Sequence, residues 1–210
     1  MERSTYYAEM RRLAQSTRQR HDLVTQVMSL SRVRAVYRAE GIQIDYWRAK
    51  LRKVRAAYFL VDGQAYVLLN SDIKPQAPRL FALCHELKHH LVDQGVARER
   101  ALGCGGDVSW QSGSALEIGA EVFAAEFIWP EREFLAVANE QGVSGGWRAE
   151  DVVRLKRASP APVSYVFVQK RLRWFGLIGP EQFKGVQFQK LEEQLYGAPY
   201  YRGRWPAGTA

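Results

Sequence analysis

The spacing of apolar residues predicts a helical N-terminal region. Apolar side chains recur there at three- and four-residue intervals, with arginine and glutamine between them, at Tyr6, Met10, Leu13, Leu23, Val27 and Leu30. This is the period of an amphipathic helix. We therefore expect helices over the first fifty residues. One of them runs from about Ser31 to Glu40 and ends at Gly41, because glycine readily terminates a helix.

A pair of strands is predicted next. Residues 56–61 and 65–69 are rich in aromatic and β-branched side chains, which favour extended structure. The segment Asp62-Gly63-Gln64 separates them and has the length and glycine content of a hairpin loop. The two segments therefore predict a β-hairpin.

Two long apolar helices follow, with a glycine-rich stretch between them. The first is predicted over residues 78–94, because proline is tolerated at a helix start and glycine follows the end. The second covers residues 115–129 and is apolar on most sides, so we expect it to be buried. Residues 95–113 contain five glycines and predict a loop, either a flap over a ligand or a mobile insert.

The first of these helices carries His85-Glu86-x-x-His89 in its middle. Helical residues four apart differ by about 40° in direction, so both imidazoles point to one side and can hold one metal ion. Glu86 lies about 100° from His85 but only about 60° from His89, which places its carboxylate beside the metal. Zinc hydrolases use this pattern, with the glutamate as a proton acceptor. We therefore predict His85 and His89 as zinc ligands and Glu86 as the catalytic base; ordinary core histidines are the alternative.

The second apolar helix carries two glutamates one turn apart, Glu117 and Glu121. A carboxylate in a buried helix needs a partner, because burying an unpaired charge is very costly. A catalytic zinc site with two histidines can take a glutamate as its third ligand, and we assign Glu117 to it. We expect Glu121 to accept a hydrogen bond from the other ring nitrogen of a ligand histidine. In the alternative, Ser114 and Glu117 form a capping box and Glu117 only caps its helix.

Other candidate ligands near the motif fit one metal less well. His90 lies about 140° from His85, so a straight helix cannot turn both towards the same ion, and we expect a packing or hydrogen-bonding role. Cys84 also faces away and is predicted to be a core residue. Cys104 lies in the glycine-rich stretch, either as an additional ligand or with no role.

Composition and charge narrow the class of protein. With 210 residues, 47% of them hydrophobic and 25% charged, the chain can bury one sizeable core and is not of a disordered type. No apolar run approaches the ~20 residues of a membrane-spanning helix, the N-terminus is polar, and two cysteines make no disulfide framework. We therefore expect a soluble, cytoplasmic protein without a membrane partner. The net charge of +8 favours anionic partners, nucleic acid included, or serves solubility.

Residues 55–180 resemble the metallopeptidases of the ImmA/IrrE family. The first part of the resemblance is a strand that ends in Asn70, the helix start Arg79-Leu80-Phe81 and the His85–His89 motif. The second part runs from Glu117 to Pro130 and is similar to the family's Glu-x-x-Ala-(Asn/Asp)-x-Phe-Ala segment that ends in proline. Two positions depart from the family's pattern: Lys88 replaces a usual glycine, and Glu121 replaces asparagine or aspartate.

The resemblance implies a fold, a cofactor and a substrate. The fold is α+β, mainly helical and zincin-like, with a small β-sheet followed by a helix-turn-helix-like segment. The activity is that of a Zn²⁺-dependent endopeptidase, with Mn²⁺ as the alternative metal. Its substrate is a helix-turn-helix repressor, whose cleavage relieves repression of a mobile element or of a DNA-damage or stress response. We accordingly expect a peptidase domain over residues 1–145, the helix-turn-helix-like segment over 146–180, and a C-terminal helix and tail over 181–210.

The helix-turn-helix-like segment carries the candidate docking residues. Two helices, over 150–158 and 164–175, flank a proline-containing turn, and Lys170, Arg171 and Arg173 make the second helix basic. This helix contacts DNA or docks the substrate repressor, unless the segment is only a structural cap. The competing hypothesis is therefore a non-catalytic DNA- or repressor-binding regulator whose metal site is structural or vestigial.

Overall fold

A computed structural model describes residues 3–47, 54–73, 76–99, 102–105, 115–141 and 146–198. The elements in chain order are α1 (Arg3–Arg20), α2 (Leu30–Ala39), β1 (Ile42–Trp47), β2 (Val54–Val61), β3 (Gln64–Asn70), α3 (Gln76–Val92), α4 (Gln94–Glu99), β4 (Leu102–Gly105), α5 (Ala115–Ile128), α6 (Glu131–Gln141), α7 (Ala149–Arg157), α8 (Tyr165–Trp174) and α9 (Phe188–Tyr196). The predicted fold class, mainly helical α+β with a small sheet, is confirmed. Within these ranges, no helix combines the length and the apolar character needed to cross a bilayer.

The chain forms two compact units. The first consists of Met1–Phe134 with Pro160–Val163, and the second of Leu135–Ser159 with Ser164–Ala210. The sheet and helices α1 to α5 belong to the first unit, and α7 to α9 belong to the second. The three domains expected from the sequence, with boundaries after residues 145 and 180, stay a prediction.

The sheet has the strand order β1-β3-β2-β4. Strands β2 and β3 form the predicted antiparallel hairpin, with Val61 paired to Gln64. Their turn consists of Asp62 and Gly63, at φ 50° and 80°, and a two-residue turn of this left-handed kind matches the twist of the flanking strands. β1 pairs with β3 in parallel, and β4 pairs with β2 in antiparallel orientation.

Strand β1 corrects the prediction that the first fifty residues are helical. Its apolar residues Ile42, Ile44 and Tyr46 alternate with polar ones, which is the period of a strand rather than of a helix. The backbone of β1 finds a parallel partner in β3, which lies some twenty residues later in the chain. The alternation that indicates a strand was therefore present in the sequence, but the strand with which β1 pairs is decided by tertiary structure.

The glycine-rich stretch and the C-terminal region also differ from the predictions. In the described part of the predicted loop over 95–113, the chain forms α4 and β4, so the loop prediction is wrong there. Residues 106–114, including Ser114 of the alternative capping box, lie outside the described residues. The C-terminal helix begins at Phe188, after a series of turns. Residues 199–210 of the predicted tail are also outside the described part.

Helix α3 forms the centre of the first unit. It packs against α2, α5 and three strands of the sheet, β2, β3 and β4. Every residue from 82 to 90 is buried, on all sides of the helix. The Tyr37 hydroxyl of α2 donates to the carbonyl of Leu83 at 2.7 Å, which ties the two helices together. The observed bounds of α3 and α5 agree with the predicted ones to within two residues.

Helix α1 holds α5 in place. The guanidinium of Arg18 is 3% exposed and donates to the carbonyl of Phe127 at 2.7 Å and to those of Val24 and Gln26 at 3.2 and 2.9 Å. Further along the interface, a Cβ added to Gly119 would lie 2.5 Å from the Tyr6 hydroxyl oxygen. Glycine at this position therefore allows α1 to approach α5 closely.

We expect Arg18→Met to lower the free energy of unfolding by about 3 kcal/mol, because three carbonyl groups lose their common charged donor. Arg32→Met is the matched control. Arg32 also donates to a loop carbonyl, that of Val27, but it does so in solvent, and its loss should cost less than about 1 kcal/mol. Urea unfolding of both variants measures the difference, and equal losses would contradict the anchoring role of Arg18.

Candidate metal centre

The structure brings His85, His89 and Glu117 together. The Nε2 atoms of the two histidines lie 3.3 Å apart. Glu117 reaches across from the first turn of α5, with Oε2 at 3.0 Å from His85 Nε2 and Oε1 at 3.5 Å from His89 Nε2. One ligand atom from each of the three side chains lies within 4.8 Å of the others, so the three can share one metal ion.

These distances suit a tetrahedral zinc site. Zinc binds imidazole nitrogen and carboxylate oxygen at about 2.0–2.1 Å, and the edge of a tetrahedron with that radius measures about 3.3–3.4 Å. The three separations in the structure, 3.0, 3.3 and 3.5 Å, lie around this value. Two nitrogen donors and one oxygen donor are also the set that catalytic zinc uses while leaving one position open. The residues present therefore fit the ion that the sequence predicts.

Regular helices set this arrangement. His85 and His89 are four residues apart in the buried middle of α3, so their rings project in nearly one direction. His89 is fully buried and His85 nearly so, whereas the side chain of Glu117 is one-fifth exposed. The side of the site formed by Glu117 therefore lies nearest to solvent.

The electrostatics of the site favour a positive charge between the three side chains. Burial alone would lower the pKa of His85. The hydrogen bond with Glu117 and the charges of Glu86, Glu117 and Glu121 raise it by more than burial lowers it, so the pKa lies above the ordinary value. Burial raises the pKa of Glu117, but the hydrogen bond with His85 and the charges of His85, His89 and Lys88 outweigh this effect, so its pKa lies below the ordinary value. A proton on His85 and a metal cation would each supply this positive charge, so protons and metal ions compete for His85.

Glu86 is the candidate catalytic base, and this role stays a prediction. It follows His85 on α3, its side chain is completely buried, and its negative charge raises the pKa of His85. A buried carboxylate whose charge acts on a ligand candidate can serve as a general base.

Asp93 makes a positioning contact of the kind that the sequence predicts for Glu121. Its Oδ2 lies 2.7 Å from Nδ1 of His89, the ring nitrogen that faces away from Glu117. Nδ1 of His85 is buried and has no hydrogen-bond partner within the described residues. The charge of Glu121 raises the pKa of His85, and the predicted hydrogen bond of Glu121 to a ligand histidine stays a prediction. The signal for Asp93 was present in the sequence, because His89 and Asp93 are four residues apart.

His90 and Cys84 belong to the surroundings of the site rather than to its ligand set. Nδ1 of His90 lies 3.2 Å from the Tyr58 hydroxyl of β2, on another side of α3. Burial raises the pKa of the Cys84 thiol, which keeps it protonated and unreactive. Both residues thus have the hydrogen-bonding and core roles expected of them.

The three candidate docking residues of α8 differ in exposure. Lys170 and Arg173 are exposed, whereas Arg171 is 6% exposed and its guanidinium lies 4.9 Å from the centre of the Phe175 ring. A partner that approaches this face of α8 can therefore meet the charges of Lys170 and Arg173, while Arg171 packs inside the second unit.

We expect His89→Ala to abolish stoichiometric zinc binding, since it removes one of three ligands, and His90→Ala to retain it, since its ring contacts Tyr58 instead. The loss for His89→Ala should exceed the roughly 10–100-fold that removal of an outer hydrogen-bond partner costs. Elemental analysis after dialysis against a weak chelator measures both variants. Equal metal content in wild type and His89→Ala would contradict the site.

Sequence comparison agrees with this geometry. The family model described as the IrrE N-terminal-like domain, a peptidase family, matches residues 37–173, which is more than half of the chain and contains all three ligand candidates. No curated protein is significantly similar to the chain. The extent of the family match shows that the chain belongs to the IrrE N-terminal-like peptidase family.

Proposed function

We propose that this protein is a zinc-dependent endopeptidase that cleaves a helix-turn-helix transcriptional repressor. The observation that carries the enzymatic part is the convergence of His85, His89 and Glu117, with the fully buried Glu86 next to His85 in the same helix. Membership of a peptidase family supports the same reaction. The choice of a repressor as substrate is supported by the resemblance of the two motif helices to ImmA/IrrE metallopeptidases. Its cleavage would relieve repression of a mobile element or of a stress response.

The donor set favours zinc over other divalent ions. Imidazole ligands suit zinc, whereas Mg²⁺ and Ca²⁺ prefer sites made of oxygen alone, and Mn²⁺ binds comparable sites more weakly. A bound Zn²⁺ would supply Lewis acidity, which lowers the pKa of water and polarises a peptide carbonyl. Zinc is therefore the metal proposed for the cell, with Mn²⁺ as the alternative.

The residues of the chain then divide the work of hydrolysis. His85, His89 and Glu117 hold the metal, and Asp93 keeps the ring of His89 in one orientation through Nδ1. A carboxylate oxygen of Glu86 accepts the proton of the attacking water and delivers it to the amine nitrogen that leaves. The surrounding core of α3 keeps the carboxylate of Glu86 away from bulk water, which strengthens its electrostatic interactions.

We expect Glu86→Gln to retain zinc but to cleave the repressor about 10²–10⁴-fold more slowly, because an amide cannot accept the proton. Purified protein is incubated with a helix-turn-helix repressor encoded beside it, and intact mass spectrometry follows the products. Undiminished cleavage by Glu86→Gln would reject the role of this carboxylate. Cleavage of unstructured peptides without cleavage of the repressor would reject the substrate.

Glu126→Gln is the matched control for that experiment. Glu126 is a second fully buried carboxylate, which accepts hydrogen bonds from Gln15 Nε2 at 2.9 Å and from the backbone N–H of Glu131 at 3.0 Å. A glutamine there can keep the bond to the backbone, and the amide of Gln15 can turn to accept from it. We therefore expect this variant to cleave as wild type does.

A second candidate function, favoured by the exposed Lys170 and Arg173 of α8, is a non-catalytic DNA- or repressor-binding regulator. Binding of duplex DNA through phosphate contacts becomes weaker as salt increases, with a slope of about −0.9 for each phosphate neutralised. If this candidate is correct, Lys170→Ala together with Arg173→Ala should reduce that slope by about 2, and Glu86→Gln should leave it unchanged. Absence of duplex binding at moderate salt would exclude its DNA-binding form.

A further inference from the structure

Lys88 is a fully buried lysine in the middle of α3, one residue before the ligand candidate His89. An ammonium group in the interior is costly unless it is paired and hydrogen-bonded. Lys88 Nζ donates to Asp93 Oδ2 at 2.6 Å and to the carbonyl of Leu116 at 3.2 Å, and it lies 5.7 Å from the centre of the Tyr6 ring. Its partners thus come from α1, from the start of α5 and from the residue that follows α3.

One oxygen atom connects this lysine to the metal centre. Asp93 Oδ2 accepts from Lys88 Nζ at 2.6 Å and contacts His89 Nδ1 at 2.7 Å. An oxygen shared in this way is fixed in position, and it can orient the ring of His89 only in that position.

Stability alone does not require a lysine at this position. Replacing a buried ion pair by apolar side chains of similar volume is often neutral or stabilising. An apolar residue cannot, however, hold the Asp93 carboxylate against the His89 ring. The bond from Lys88 to the carbonyl of Leu116, the residue before Glu117, adds a link to the helix that carries the third ligand. The ammonium group of Lys88 therefore contacts the carboxylate that orients His89 and the helix that carries Glu117.

We propose that Lys88 is a positioning residue of the metal centre, which holds Asp93 Oδ2 against His89 Nδ1 and thereby sets the orientation of the His89 ring. The inference rests on the proposed function in so far as His89 is a metal ligand. It concerns metal affinity and coordination geometry, which can be measured without any substrate.

The test is a double-mutant cycle of zinc affinity with wild type, Lys88→Met, Asp93→Asn and the double variant. Competition with a chromogenic chelator gives each affinity. Each single change should weaken zinc binding by roughly 10–100-fold. The zinc affinity of the double variant should equal that of the single variant with the lower affinity, because both changes act through the same oxygen atom. Visible spectra of the Co²⁺-loaded proteins should show the same altered ligand geometry in both single variants.

Arg18→Met is the control for a merely structural effect. Arg18 is also a buried cation that donates to backbone carbonyls, but it meets α5 at Phe127 in the last turn and contacts none of the three ligand candidates. We expect this variant to lose stability and to keep the zinc affinity and Co²⁺ spectrum of wild type. If Lys88→Met weakens zinc binding no more than Arg18→Met does, the proposal is overturned.

The remaining outcomes separate this proposal from the proposed function. Wild-type zinc affinity in Lys88→Met, or effects that multiply in the double variant, overturn the role of Lys88 alone. Absence of zinc binding by wild type overturns the metal centre itself, and with it both proposals. If Lys88→Met does not fold, the comparison of Asp93→Asn with the double variant decides. Equal affinities then support the proposal, and a further tenfold loss in the double variant overturns it.

Discussion

The burial of ionisable side chains in the middle of α3 is the constraint on which the first unit depends. Between residues 85 and 90 only Leu87 is apolar, yet the whole segment lies inside the core. Each ionisable group there loses the hydration of its charged or polar form, and no helix can supply enough partners from its own backbone, which is already hydrogen-bonded. The helix can therefore be buried only if other parts of the chain provide hydrogen-bonding or charged partners for these side chains.

The partners come from elements that are distant in the chain, and those elements must be held in turn. Glu117 at the start of α5 meets both ligand candidates of α3, and Tyr58 of β2 meets His90. Helix α5 packs closely against α1 at Gly119, and Arg18 of α1 holds the opposite end of α5 at the carbonyl of Phe127. The contacts of Glu117 with His85 and His89 thus give the buried histidines a partner and also bring the three ligand candidates together. Ligand candidates carried on packed helices in this way are held in place by the core around them.

The second unit uses its charges differently. The carboxylate of Glu192 in α9 accepts hydrogen bonds from Lys156, Arg157 and the Tyr165 hydroxyl at 2.7–3.3 Å. These bonds link α7, α8 and α9. Burial, reinforced by this hydrogen bond, raises the pKa of Tyr165, so the hydroxyl remains a donor. Lys170 and Arg173 of α8 are exposed. Within the second unit, therefore, some cations stabilise the helices and others are presented to solvent.

The sequence by itself determined the hairpin, α3 and α5, because turn chemistry and helical periodicity are local. It also determined the pairing of His85 with His89, since helix geometry places residues four apart on one side. Tertiary structure decided the parallel partner of β1, the separation of Glu117 from the histidines, and the exposure of Arg173 in contrast to the burial of Arg171. It alone showed that Lys88 and His89 share one oxygen of Asp93. The physical reason is that spacing along a helix gives the direction of a side chain, whereas a partner across the core is set by how separate elements pack.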